Sequence, residues 1–212
     1  MIYDHDTNVM YGLYKGIMYF IRMDGTPATT PFVQSNAGPL PVSYSESATV
    51  GFGQNHIYYL NGPGFQPGQT QIFVIHYAYW QPSLQSYSPV FPQSPGQTVS
   101  IPLDSFSVPL VFAYIPDDGS GTYLINVEVG QNTTIKYPAP SVKDPQAQYT
   151  ATSTSVIQLT SDYQLFTLDI SKTGSDWVQV LNPVLDSLKG KSISSGTESI
   201  ATTTGSSGNI II

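Results

Sequence analysis

The chain has 212 residues, of which 40% are hydrophobic and only 10% are charged, with a formal net charge of −7. A typical soluble domain has about 25% charged residues, so Ser, Thr, Gln, Asn and Tyr must supply most of this polar surface. Seven basic residues are too few to follow a phosphate backbone, so we expect neither nucleic-acid binding nor direct membrane insertion. Because there is no cysteine, we expect no disulfide framework or thiolate metal site.

The composition predicts a location outside the cytosol, because uncharged polar groups stay hydrated without depending on ionisation. The first ten residues, MIYDHDTNVM, contain neither a basic region nor a long apolar run, so no signal peptide is predicted. No apolar stretch is long enough to predict a transmembrane helix. Either a signal peptide precedes this numbering, which Met1 argues against, or the protein leaves the cell by assembly into a particle. We expect the second, with a virion or an extracellular surface assembly as the location.

Short apolar runs separated by turn residues predict a chain of strands from the N-terminus onward. The first two, Val9–Leu13 and Ile17–Met23, flank Tyr14-Lys15-Gly16 and predict a hairpin. Further strands are predicted at Val42–Phe52, His56–Leu60, Val99–Leu103, Val108–Ile115, Thr122–Val129 and Asn132–Tyr137.

The segment Thr70–Trp80 gives the strongest strand signal in the chain, and both of its faces are apolar, so we expect it at the centre of a packed sheet. A Pro-, Ser- and Gln-rich excursion follows from Gln81 to Gln97. Loops of this length are commonly functional or part of an interface.

The residues after Pro138 predict a second, smaller part. Strands are predicted at Ser155–Leu159 and Gln164–Ile170. Asp176–Leu188 has the spacing of an amphipathic helix, but Pro183 interrupts it, and a pair of strands is the alternative. The Ser/Thr/Gly-rich end, Ile193–Ile212, finishes on three isoleucines that are expected to be covered.

This strand spacing predicts an all-β fold, an antiparallel β-sandwich or jelly roll, with a smaller β-rich part after a Pro-rich linker. We place the sandwich at residues 1–137, the linker at 138–149 and the smaller part at 150–212. Because no internal repeat of fixed period is visible, a β-propeller or solenoid is disfavoured.

No motif in the sequence specifies a reaction, so we predict no catalytic, cofactor-binding or metal-binding residue and no enzymatic activity. Asp4-His5-Asp6-Thr7-Asn8 begins like a calcium loop but lacks the required Gly and the later Glu, and is read as an exposed acidic terminus. Asp117-Asp118, with Glu128 as a possible partner, is read as a turn. His76 is read as a core or inter-strand histidine, and Asn132-Thr133-Thr134 matches the glycosylation sequon.

The aromatic residues are the remaining functional candidates. Tyr and Trp are enriched both in protein interfaces and on carbohydrate-binding surfaces, so a lectin-like module for host-surface glycans is the alternative to an assembly subunit. The predicted interface residues are Tyr79, Trp80, Tyr87 and Phe91.

In overall character the chain resembles the jelly-roll vertex and turret proteins of archaeal icosahedral viruses. The resemblance rests on TQIFVIHYAYW, SVPLVFAYIPDDGSGTYLINVEV and the Thr/Ser/Gly-rich tail. It implies a structural subunit at a capsid vertex, whose partners are other copies of itself and other capsid proteins.

Overall fold

The computed structural model describes residues 1–4, 7–25, 27, 29–103, 108–182 and 184. These residues form strands and turns grouped in four antiparallel sheets. Strands that are consecutive in sequence are neighbours within each sheet, except that the short fifth strand of the second sheet pairs with the third strand of that sheet. The sheets belong to one compact unit, Met1–Leu181, while the second unit, Asn182–Ile212, lies almost wholly outside the described residues. The division predicted at residues 138–149 stays a prediction.

The first two sheets come from the N-terminal half of the chain. The first sheet contains strands β1 to β4, which span Ile2–Asp4, Val9–Tyr14, Ile17–Arg22 and Val33–Pro39. The second sheet contains β5 to β9, which span Thr49–Gly53, His56–Leu60, Gln69–Val74, Tyr79–Trp80 and Gln85–Ser86.

The third and fourth sheets repeat the same up-and-down order. The third contains β10 to β13, which span Gly96–Ser100, Val111–Pro116, Thr122–Asn126 and Thr133–Tyr137. The fourth contains β14 to β17, which span Gln148–Ala151, Ser155–Leu159, Leu165–Asp169 and Trp177–Val180.

Turn chemistry fixes the register of the first hairpin. Tyr14 pairs with Ile17, which leaves a two-residue loop. Both loop residues, Lys15 and Gly16, have positive φ angles of 48° and 77°. Two consecutive left-handed residues match the twist of the flanking strands, as in a type I′ turn. The predicted hairpin is therefore confirmed.

Apolar cores join each sheet to the next one in sequence. Met18 of the first sheet and Phe73 of the second belong to one buried cluster. Tyr58 of the second sheet packs on Phe112 of the third, with ring centroids 5.5 Å apart, in another cluster. The last cluster joins the third sheet to the fourth, where it includes Trp177. The described residues thus contain three inter-sheet cores for four sheets.

Side-chain hydroxyls also connect the second and third sheets. Thr98 Oγ1 on β10 donates to the carbonyl oxygen of Val50 on β5 at 2.6 Å, and Ser100 Oγ donates to that of Phe52 at 2.9 Å. These strands begin their respective sheets, so the bonds hold two sheets side by side rather than extending either one.

The predicted jelly roll is wrong, although the broader prediction of an all-β antiparallel fold is confirmed. A jelly roll needs Greek-key connections between strands that are distant in sequence. Here the strands of each sheet pair in consecutive order, and the one exception, β9, pairs with the nearby β7. A β-propeller or solenoid is disfavoured by the sequence because no repeat of fixed period is visible, yet the four sheets repeat an up-and-down strand order that no recurring sequence marks.

The long strand predicted at Thr70–Trp80 is wrong, because it is a hairpin. β7 ends at Val74 and β8 begins at Tyr79. Between them, Ala78 has a φ of 48° and its amide donates to the Ile75 carbonyl at 3.1 Å. The tight turn overrides the apolar run, and it moves His76 from the predicted strand into an exposed turn.

The helix predicted at Asp176–Leu188 is wrong in its first part. Trp177–Val180 is strand β17, which pairs with β16 through Leu168 and Trp177. Cross-strand pairing and burial of Trp177 override the helical spacing. Residues 185–188, and the apolar end at Ile193–Ile212, lie outside the described residues.

Candidate functional site

The outward side of the first sheet is an exposed apolar surface. Successive side chains of a strand point to opposite faces, so Leu13 and Met18, which pack toward the second sheet, place Tyr14 and Tyr19 on the other face. A shallow depression of about 370 Å³ opens on this face. It is lined by Met1, Gly12, Leu13, Tyr14, Tyr19 and Phe32. We call this surface the outer aromatic face.

Large side chains form the walls of the depression, and a glycine forms its floor. Met1 is 86% exposed, Tyr14 59% and Phe32 38%. A Cβ atom added at Gly12 would lie 3.8 Å from Met1 Cγ and 4.0 Å from Phe32 Cε1, which are ordinary contact distances. At the rim, Lys15 Nζ lies 5.2 Å from the centroid of the Tyr14 ring. The arrangement suits an apolar contact surface and offers no group positioned for bond chemistry.

The outward side of the fourth sheet is also apolar. Val156, Leu168 and Trp177 point inward to the core, which puts the alternate residues outward. Val178 is 59% exposed and pairs with Thr167. We call this surface, formed by Ile157, Leu159, Leu165, Thr167, Val178 and Val180, the outer aliphatic face.

Two smaller cavities lie between sheets. One of about 260 Å³, between the third and fourth sheets, contains Asp117, Asp144 and Tyr149 among its lining residues. Burial raises the pKa of Tyr149 to about 12, and the two carboxylates add to the effect. The other, of about 250 Å³, lies between the first and second sheets and includes Arg22 and His76.

The acidic motifs serve turns in this structure. Asp118 Oδ1 accepts a hydrogen bond from the Ser120 amide at 2.8 Å, as expected for the predicted turn. The prediction of an exposed acidic terminus is wrong for Asp4, which is fully buried and accepts a hydrogen bond from Thr7 Oγ1 at 2.5 Å. His5 and Asp6 lie outside the described residues.

No group of three or more His, Cys, Asp or Glu side chains in the described part of the chain is placed to hold a metal ion. None of the described segments is a helix of the length and apolarity needed to cross a bilayer.

Most of the predicted interface residues are in the core. Trp80, Tyr87 and Phe91 are 6%, 3% and 0% exposed. Tyr79 is 43% exposed, and its ring centroid lies 6.4 Å from that of Tyr77. The Pro-rich excursion therefore packs its aromatic residues inward, and Tyr79 alone of the four offers a substantial free surface. An interface role for these residues stays a prediction.

The outer aromatic face was missed from the sequence. The signal was present in β2 and β3, VMYGLY and IMYFIR, where apolar residues fall on both faces. Such a pattern indicates a sheet that is covered on both sides. The sequence could not show that one of those sides lacks a cover within the described residues.

Comparisons of this chain with known proteins find similarity among solved structures but not among family models or curated proteins. No family model matches it, and no curated protein matches it. Among solved structures, the crystal structure of the N-terminal domain of Nup159 matches with a TM-score of 0.46 and 10% sequence identity, covering 88% of this chain and 45% of that chain. The chain thus spans less than half the length of the solved chain it matches.

The resemblance to jelly-roll vertex and turret proteins is wrong. Within the four sheets the strands follow their order in the sequence, apart from β9, which pairs with β7, and this is not the strand order of a jelly roll. The assignment as a capsid vertex protein depended on that resemblance and falls with it, together with the glycan-binding attachment module that was its alternative.

Proposed function

We propose that this chain is a non-enzymatic protein-interaction module made of blade-like sheets of the β-propeller type. Four-stranded up-and-down sheets stacked in sequence order are the blades of such folds, and that order supports the proposal. The outer aromatic face is its binding surface. The partner chemistry is a folded protein that presents an uncharged, aliphatic sheet face.

The observation that carries this proposal is the exposure of large apolar side chains at the end of the stack. Met1, Tyr14 and Phe32 are all more than one third exposed around one depression. Contiguous exposed apolar patches mark interaction surfaces. Tyr is also enriched in the cores of protein interfaces.

The outer aromatic face is uncharged, which favours an uncharged partner surface. The outward strand residues of the first sheet, Tyr3, Met10, Gly12, Tyr14, Ile17, Tyr19 and Ile21, are uncharged. A nucleic acid or an anionic membrane would need cations on such a surface. The low charge of the whole chain supports placing this module outside the cytosol.

Hydroxyl-radical footprinting tests the proposal without needing the partner's name. The oxidation rates of Tyr14 and Tyr19 are compared between two samples. One is native material, in which the protein is still in an unfractionated extract of its natural source, and the other is the dilute purified chain. We expect strong protection of both in native material. Tyr77, which is 79% exposed in the turn between β7 and β8, is the control and keeps its rate. Equal oxidation of Tyr14 in the two samples would contradict a docked face.

A further inference from the structure

We infer that the outer aromatic face binds the outer aliphatic face of a second copy of this chain. The inference rests on the proposed function and names its partner. It starts from the three inter-sheet cores among four sheets in the described residues. Two sheet faces, one at each end of the stack, have no sheet packed on them within the described residues.

The two end faces match chemically. The outer aromatic face offers bulky rings around a depression with Gly12 at its floor. The outer aliphatic face offers branched side chains and hydroxyls, with Val178 at 59% exposure. Aromatic residues facing β-branched residues pack well across β-sheets, and the cores inside this chain combine the same residue types.

Charge does not oppose the contact. The outer aromatic face has no charged side chain within its strands. On the fourth sheet, Asp169 lies at the end of its strand beside Ser155, and Lys172 Nζ lies 2.7 Å from its carboxylate. Packing the two faces therefore buries no unpaired charge of those strands, which would be costly.

Symmetry favours a second copy as the partner. The two faces differ, so the contact is heterologous, and such contacts either close into rings or extend into filaments. Two copies joined at both ends form a two-fold ring that makes the same contact twice. The ring has eight sheets, which is within the range of about four to eight blades in closed propellers. Pairing continues the sheet-on-sheet packing already present within the chain.

Because the chain has no cysteine, single cysteines provide a clean test. The variants are Tyr14→Cys on the aromatic face and Val178→Cys on the aliphatic face, each purified and oxidised alone and as a mixture. We expect a disulfide-linked dimer in the mixture and little or none from either variant alone. Val129→Cys, at a site 82% exposed in the turn between β12 and β13, is the control and stays unlinked when mixed with either variant.

Each other outcome overturns the inference in a distinct way. Cross-linking of Tyr14→Cys alone would show that like faces meet. A cysteine-linked product with Val129→Cys would show non-specific collision. A wild-type chain that stays monomeric without cross-links would exclude the second copy as partner. In that case Tyr14 protection in native material still decides whether the face docks a different protein, so the two proposals fail separately.

Discussion

At the scale of single residues, Gly51 shows how closely the second and third sheets approach each other. A Cβ atom at this position would lie 2.6 Å from Phe112 Cε2 and 2.7 Å from Cζ, and the Phe112 ring is fully buried. Gly51→Ala therefore overpacks the core and should cost about 1–3 kcal/mol of unfolding free energy. For a domain of this size we expect the melting temperature to fall by about 2–4 °C per kcal/mol.

Gly12→Ala is the matched control in thermal denaturation of the Gly51 variant. Both glycines lie within strands, but a Cβ at Gly12 meets its neighbours at ordinary distances. The control should melt close to the wild type. Equal melting temperatures for Gly51→Ala and Gly12→Ala would show that the two sheets are not in such close contact.

Tyr149 gives a prediction at alkaline pH. Burial raises its pKa to about 12 in the folded chain, from 10.0 as the ordinary value. Because the folded pKa is raised, the neutral phenol favours the folded state fully below pH 10, and that contribution is lost as pH rises through about 12. The melting temperature should fall less steeply from pH 10 to 12 in Tyr149→Phe than in the wild type.

The control for this pH series is Tyr163→Phe, at a site that is 63% exposed. Its melting curve should follow the wild type at every pH. Identical slopes for Tyr149→Phe and the wild type between pH 10 and 12 would show that ionisation of Tyr149 does not affect stability.

At the scale of elements, hydroxyl side chains fix the second sheet beside the third. Thr98→Val keeps the side-chain shape but removes the hydrogen bond to the Val50 carbonyl oxygen, which spans 2.6 Å. We expect the unfolding free energy to drop by about 0.5–1.5 kcal/mol. Urea denaturation measures this, with Thr98→Ser, which retains a hydroxyl, as the control. If Thr98→Val were as stable as the wild type, this hydrogen bond would not contribute to holding the two sheets together.

The existence of most strands was predictable from the sequence, but their grouping was not. His56–Leu60 and Ser155–Leu159 were predicted with the observed bounds, because apolar alternation and turn residues are local signals. The turn at Ile75–Ala78 depends on a left-handed Ala78, which no composition rule indicates. Sheet order depends on which faces meet in space, and the apolar pattern of a strand does not specify its neighbour.

The candidate site was harder to predict than the strands for a related reason. An aromatic residue in a strand gives the same apolar sequence pattern whether it faces a core or an interface. Tyr87 and Phe91, predicted at an interface, pack inside, whereas Tyr14 lies outside on a hairpin that the sequence predicted well. The two cases are distinguished only by the structure, in which four sheets share three inter-sheet cores among the described residues and the end faces have no sheet packed on them.

At the scale of the whole molecule, the described residues form a stack of sheets whose two end faces are apolar and have no sheet packed on them. Stacking explains the low charge on the sheet faces, because each sheet except the end ones is covered on both sides. The same physical requirement then applies to the end faces, where burial of exposed apolar surface favours association.

Molar mass measured by light scattering over a concentration series tests this claim most directly. The wild-type chain of 23.0 kDa should approach twice that mass as concentration rises. Gly12→Lys, which puts a charge on the floor of the outer aromatic face, should keep the monomer mass with an unchanged circular dichroism spectrum. A wild-type mass of 23.0 kDa at every concentration, or equal association of the two proteins, would contradict the account.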